Sequence, residues 1–136
     1  IAAAPGEGCW HNDARCRVSA VSRIDEATVL VTDDRNFPSA DRRAGWDLLS
    51  HQASVSRGWG DCFGYLLVAT GRADVMVDPI LNPWDAPPFL PIIEEAGGVF
   101  SGWSGRRDAF AGDAIATNGA LANSARALLW SADAAR

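Results

Sequence analysis

Short apolar runs and helically spaced apolar stripes alternate along this chain, each bounded by glycine, proline or a small polar residue. Val18 to Thr32 predicts a short strand, a turn at Ile24-Asp25-Glu26, and a strand over Ala27 to Thr32 whose β-branched residues suit a pleated surface. From Ser39 to Ala53 the spacing turns helical: Ser39 offers an N-cap oxygen, and Ala44, Leu48 and Leu49 share one stripe. Ala53 to Arg57 predicts a brief strand ended by Gly58 and Gly60. Asp61 stands where it would cap a helix running to Ala69, with Gly71 as the stop signal, and Ala73 to Val77 is a further apolar strand. Pro87 and Pro88 fall in the first turn of the next helix, where a missing N–H matters least. That helix runs to Ala96 before Gly97-Gly98 ends it. Val99 to Trp103 and Ala114 to Thr117 predict two more strands with a turn at Gly105 between them, and Asn118 stands as the cap of a last helix reaching about Trp130. The Ala-rich tail Ser131 to Arg136 is expected to fray. Strands alternating with helices in this way predict an α/β fold, a layered sheet with flanking helices, in a single domain over residues 1–136.

Charge and cysteine usage narrow the partners. Seventeen acidic residues against twelve basic ones give a formal charge of −5, so the basic stripe of a nucleic-acid binder is missing. Arg15, Arg17 and Arg23 are interleaved with Asp13 and Asp25 and read as a solvated face. No apolar run approaches the roughly 20 residues of a membrane-spanning helix, so no membrane partner is expected. Cys9, Cys16 and Cys62 are odd in number and lack a CxxC spacing, which points to a reducing compartment, the cytoplasm. A zinc ion held by Cys9, His11 and Cys16 would lack a fourth ligand. Cys62, in an apolar stretch, reads as a small hydrophobe. The six tryptophans are scattered and read as core or interface residues, and His11 and His51 as isolated surface or loop residues. Ile1 opens the chain inside a Gly- and Ala-rich loop, Ala2 to Gly8, and this predicts a piece of a longer protein.

Chemistry concentrates in Asn82-Pro83-Trp84-Asp85-Ala86, followed by Glu94-Glu95-Ala96-Gly97-Gly98. A carboxylate on a turn before a helix can accept from that helix's free N–H groups and so stays ionised and fixed in direction. A hard cation such as Mg²⁺ asks this of its one or two protein carboxylates. The same spacing also describes a plain N-cap aspartate. Asp61 and Asp78 have equally plain readings, as a second cap and as a strand-end turn before Pro79. Glu94-Glu95 read as the solvated face of their helix.

Trp84-Asp85-Ala86 with Pro91-Ile92-Ile93-Glu94-Glu95-Ala96-Gly97-Gly98 resembles the C-terminal signature of the inositol monophosphatase superfamily. Asn12, Val18-Ser19, Arg57-Gly58-Trp59-Gly60-Asp61-Cys62, Val68 to Asp74, and Ala116-Thr117-Asn118-Gly119 agree in order and spacing. Within the superfamily, Arg57 to Tyr65 and Asp78 to Asp85 are most similar to the histidinol-phosphate phosphatase branch. The resemblance implies the C-terminal half of the phosphatase fold, and a Mg²⁺-dependent phosphomonoesterase acting on a small phosphorylated substrate. Histidinol phosphate is the first expectation and inositol monophosphate the second. It implies Asp85 as a metal ligand, Asp78 as a contact to the substrate's non-phosphate part, and Gly60, Asp61 and Cys62 on the substrate side of the pocket. Asp61 and Asp78 would then meet the ammonium and imidazole groups of histidinol phosphate.

No catalytic residue beyond that metal ligand is implied in this stretch. The family's Glu-Glu pair and Asp-Pro-(Ile/Leu)-Asp-Gly-Thr loop, which supply most metal ligands, are absent; Asp78-Pro79-Ile80 mimics half the loop, but Leu81-Asn82 replaces its Asp-Gly. The chain alone is therefore expected to be inactive, its partners being the missing N-terminal half and, by family habit, a second copy in a homodimer. Pro87-Pro88 stand where the family has small residues, and Asn12-Asp13 where it has an Asn-Gly turn. A reading from a different class is a non-catalytic interaction module that lacks the upstream metal motifs.

Overall fold

The computed structural model describes residues 1–130, so the tail Ser131 to Arg136 that was expected to fray lies outside the described residues. Residues 1–15 are no simple loop: β1 (Ala2–Ala4), β2 (Gly8–His11) and β3 (Ala14–Arg15) form a small antiparallel sheet in that order. Ala2–Ala4 has neither alternation nor β-branching, so this strand is set by its pairing with β2, Ala3 opposite Cys9, and not by propensity. Asn12 and Asp13 join β2 to β3 with φ of +47° and +65°. Both central residues of a tight hairpin turn need that sign, and Asp supplies it where glycine is more usual.

A 3-10 turn at Ile24–Glu26 leads into the main sheet. The elements that follow are β4 (Thr28–Val31), α1 (Ala40–Gln52), β5 (Val55–Gly58), α2 (Cys62–Ala69), β6 (Val75–Asp78), α3 (Phe89–Glu95), β7 (Gly98–Ser101), β8 (Ala114–Asn118) and α4 (Ala122–Trp130). Their strands lie in the order β5-β4-β6-β8-β7. β5, β4 and β6 run parallel, while β8 is antiparallel to both β6 and β7. The result is a mixed sheet with helices on both faces, the α/β architecture expected.

The period of two along each strand divides the core. Val29, Val31, Val75, Val77 and Ile115 pack with Trp46 and Leu49 of α1 and with Ala125 and Leu129 of α4. Leu30, Met76, Ala114 and Ala116 pack with Tyr65, Val68, Phe89 and Ile93 of α2 and α3. β6 is buried along its whole length, as a central strand covered on both faces must be. Two glycines set how closely the helices lie. A Cβ on Gly45 would fall 2.2 Å from the Leu129 carbonyl oxygen, so α1 and α4 touch backbone to backbone. A Cβ on Gly64 would fall 2.4 Å from Met76 Sδ, so α2 presses directly on β6.

Two expectations are corrected here. No strand forms at Val18; residues 18–23 lie outside any sheet, with the Val18 N–H donating to the Ala96 carbonyl at 2.9 Å. The Ser19 hydroxyl donates to the buried Asp74 carboxylate, which also accepts from the Thr28 N–H at 2.7 Å. Side-chain bonds therefore hold a segment whose sequence looks strand-like. Asn118 does not cap α4 directly. It ends β8, fully buried, and α4 begins four residues later. Its amide donates to Ser19 Oγ at 2.7 Å and to the Val21 carbonyl at 2.8 Å, while its Oδ1 accepts from the Leu121 N–H at 2.9 Å.

Candidate functional site

β4 and β6 deliver Thr32, just past one strand, and Asp78, the last residue of the other, to the same end of the sheet, and a cleft of about 320 Å³ opens there. Open α/β sheets place ligands outside the carboxyl ends of parallel strands, at the point where successive connections run to opposite sides. That condition holds here, since β4 leads through α1 to β5 on one flank and β5 leads through α2 to β6 on the other. Asp61, Cys62, Asp78 and Asp85, distant in sequence, all line this cleft, together with Thr32, Asn82 and Phe89. Among the described residues, no lysine, arginine or histidine lines it.

Asp78 is only 3% exposed, and its Oδ2 accepts from the Tyr65 hydroxyl at 3.2 Å. Burial pushes its carboxyl above the ordinary value; the nearby Thr32 and Tyr65 hydroxyls oppose that rise, and the Asp61 and Asp85 charges add to it. The Thr32 hydroxyl makes no hydrogen bond of good geometry and is a buried, unpartnered oxygen among the described residues. Tyr65 is pushed well above its ordinary value, first by burial and then by the Asp78 charge, so it remains a neutral donor.

Asp61 occupies the N-cap position of α2, but its side chain makes no capping bond. Its backbone is held at φ +57°, ψ −151°, a region that only glycine enters freely. The expected cap is therefore absent, and the strained loop turns Asp61 into the cleft. Cys62 is exposed and lines the cleft, where its reading from the apolar stretch alone made it a small hydrophobe. Gly60 is not a lining residue: it sits behind the cleft wall, its absent Cβ 3.9 Å from Thr32 Cγ2. Trp59 and Phe63 flank this loop as an exposed stacked pair with ring centres 5.2 Å apart.

Asp85 closes a turn opened by Pro83, its N–H donating to the Asn82 carbonyl at 3.0 Å. It does not accept from α3, which begins only at Phe89 after Pro88. The reason is local. A residue before proline is pushed out of the helical region, so Pro87 and Pro88 delay the helix past the first turn expected for it. The Asp85 carboxylate is thus exposed at the cleft without a side-chain hydrogen bond among the described residues.

The Glu94-Glu95 pair is not a free solvated face. Glu94 makes a two-pronged pair with Arg107, at 2.6 and 2.8 Å. Glu95 accepts from the Gly6 and Gly8 N–H groups, both at 2.9 Å, and so fastens the β1–β2 turn to α3. Of the six tryptophans, Trp46 and Trp103 are core, whereas Trp10, Trp59, Trp84 and Trp130 are exposed. Tyr65 only ends the Arg57 to Tyr65 stretch, and Thr32 and Phe89 carry no motif; their positions, at a strand end and along apolar helical stripes, are what marked them in sequence.

The sequence profile of the inositol monophosphatase family matches residues 1–134. The chain belongs to the inositol monophosphatase family. Among curated relatives of this family member, a histidinol-phosphatase of Chlorobaculum parvum is 38% identical over 110 residues, 81% of this chain and 42% of the relative. A histidinol-phosphatase of Streptomyces coelicolor is 34% identical over 107 residues, 79% of this chain and 40% of the relative. The solved extragenic suppressor protein SuhB of Bartonella henselae superposes with a TM-score of 0.83 at 27% identity, over 93% of this chain and 52% of that one. The chain thus spans about two-fifths to one-half of these three relatives. Among the described residues no helix is long and apolar enough to cross a membrane.

Whether this inositol monophosphatase-family site fits a metal ion turns on its donors. An exposed carboxylate without a side-chain hydrogen bond, opening on an acidic cleft, suits one coordination position of Mg²⁺. Among the described residues, no three His, Cys, Asp or Glu side chains converge closely enough to make a complete metal site. Asp85 therefore fits as one member of a set, not as a site in itself.

Proposed function

We propose that this chain is the C-terminal part of a Mg²⁺-dependent phosphomonoesterase acting on a small phosphate monoester, histidinol phosphate first. The observation that carries the reading is the cleft itself: three carboxylates, Asp61, Asp78 and Asp85, and no cationic side chain among the described residues. A phosphate dianion is repelled by such a surface. A divalent ion on one side and a cationic substrate group on the other would reverse that balance. The likeness to two proteins named histidinol-phosphatase supports the choice of substrate.

Asp85, with its carboxylate open to the cleft, would hold Mg²⁺. When bound, the metal supplies charge neutralisation at the phosphate and lowers the pKa of a coordinated water. Asp78, buried and held by Tyr65, would orient the substrate through its non-phosphate end. Asp61, turned inward by its strained backbone, would bind the ammonium or imidazole group, and Cys62 would border it. A polyol such as inositol offers the same aspartates only hydroxyl donors, which makes inositol monophosphate the weaker substrate. The remaining partners in this proposal are the N-terminal half of the fold, a second copy of the protein, and a cytoplasmic setting.

The test is phosphate release by the intact natural protein from histidinol phosphate and from inositol monophosphate, with Mg²⁺ and with a chelator. Faster, metal-dependent turnover of histidinol phosphate is expected. Equal rates on the two substrates would remove the histidinol assignment, and full activity in chelator would remove the metal.

A further inference from the structure

Tyr65 looks like an ordinary core aromatic, 1% exposed in the middle of α2. Its contacts are not ordinary. The ring stacks face to face on Phe89, with centres 3.9 Å apart and planes 5° from parallel. Phe89 both lines the cleft and opens α3, just after the loop that carries Asp85. The hydroxyl donates to Asp78 Oδ2 at the end of β6. One side chain on α2, the helix that follows Asp61, therefore braces the Asp78 wall and the Phe89 wall together. Its own helix is pinned to the sheet one residue earlier, where Gly64 lies against Met76.

We propose that Tyr65 is a positioning residue that fixes Asp78 for a cationic substrate group. By engaging Oδ2, it leaves Oδ1 free of the tyrosine and keeps the carboxylate from rotating within its buried setting. A donor whose ionisation burial opposes holds this geometry without adding charge. The role rests on the phosphatase reading above and adds to it the residue that sets selectivity between cationic and neutral leaving groups.

The experiment is steady-state phosphate release from histidinol phosphate and inositol monophosphate by the intact natural protein and its Tyr65→Phe variant, which keeps the ring and its stacking. The ratio of kcat/KM, cationic over neutral substrate, is expected to fall about tenfold, chiefly through KM, the worth of one hydrogen bond to a charged group. An unchanged ratio, or an equal loss on both substrates, would show a merely structural tyrosine. In an Asp78→Asn background, Tyr65→Phe should change the ratio no further; additive effects would overturn the proposal. If Tyr65→Phe does not fold, 3-fluorotyrosine at position 65 keeps the packing and sharpens the donor, and the ratio should rise; an unmoved ratio would again overturn the role. Wild-type protein that releases phosphate from neither substrate defeats the phosphatase reading and this role with it. Active wild type with a ratio indifferent to Tyr65 defeats the role alone.

Discussion

Replacing Glu95 by alanine removes the acceptor of two backbone N–H groups, those of Gly6 and Gly8, each at 2.9 Å. Hydrogen bonds to a charged acceptor contribute about 1.5–3 kcal/mol each when shielded from water. The Gly6 bond is exposed and counts for little, whereas the Gly8 bond is partly buried, so Glu95→Ala should cost about 2 kcal/mol. For a chain of 136 residues that corresponds to a fall in Tm of about 7 °C. Glu95→Gln keeps one acceptor oxygen and turns an NH₂ toward the other N–H, so about half the loss is expected. Glu94→Ala, which breaks only an exposed pair with Arg107, should have the smaller effect. Urea unfolding gives the global term, and amide exchange resolves where it falls. Residues 2–11 should exchange about thirtyfold faster in Glu95→Ala, through openings that release the small sheet the clamp holds. Unaltered exchange in residues 2–11, with the unfolding free energy moved by less than about 0.5 kcal/mol, would refute the clamp.

Gly45→Ala gains about 1 kcal/mol of helix propensity but drives a Cβ to 2.2 Å from the Leu129 carbonyl oxygen. Backbone cannot move aside cheaply, so a net loss of about 1–2 kcal/mol in urea unfolding is expected. Asp85→Asn should lower phosphate release about a hundredfold or more and raise the Mg²⁺ concentration for half-maximal rate; a normal rate at the usual Mg²⁺ would remove Asp85 from the metal. The Asp78 carboxyl sits above its ordinary value of 3.8 because of burial, so between that pH and its native value the folded chain holds more protons than the unfolded one. Stability should therefore fall as pH rises through this window. Asp78→Asn should be more stable than wild type at neutral pH, the two converging below pH 3.8, as thermal melts across pH will show.

The elements that read clearly in the sequence are those where local and tertiary preferences agree. The β-branched run at Thr28–Val31, the Ser39-capped helix with its 3.3 Å bond to Arg42 N–H, and the stops at Gly71 and Gly97, both at positive φ, all stand where expected. Val18 failed as a strand because its neighbours are held by Ser19, Asp74 and Asn118 side chains, which no periodicity encodes. The β1 strand was invisible because three alanines acquire strand geometry only from their partner. For the site, acidic residues were legible and their surroundings were not. Asp61 and Asp85 both look like caps, yet neither caps: one is strained and turned inward, and the other is cut off from α3 by Pro87-Pro88. Tyr65 escaped notice because a buried aromatic on a helix stripe is the commonest thing such a position can be.

Asn118-Gly119 has a bearing on how the protein ages. An asparagine followed by glycine is the step at which a chain most readily loses a side-chain amide, because no side chain on the next residue hinders attack by its backbone nitrogen. Here the amide is sealed, fully buried and spent on Ser19, Val21 and Leu121. Conversion to aspartate would set a carboxylate against the Val21 carbonyl and beside the network of Asp74, replacing two donated bonds by repulsion. Chemical lifetime at this step is thereby tied to how often the end of β8 opens, and each opening exposes a clock that the folded chain otherwise keeps stopped.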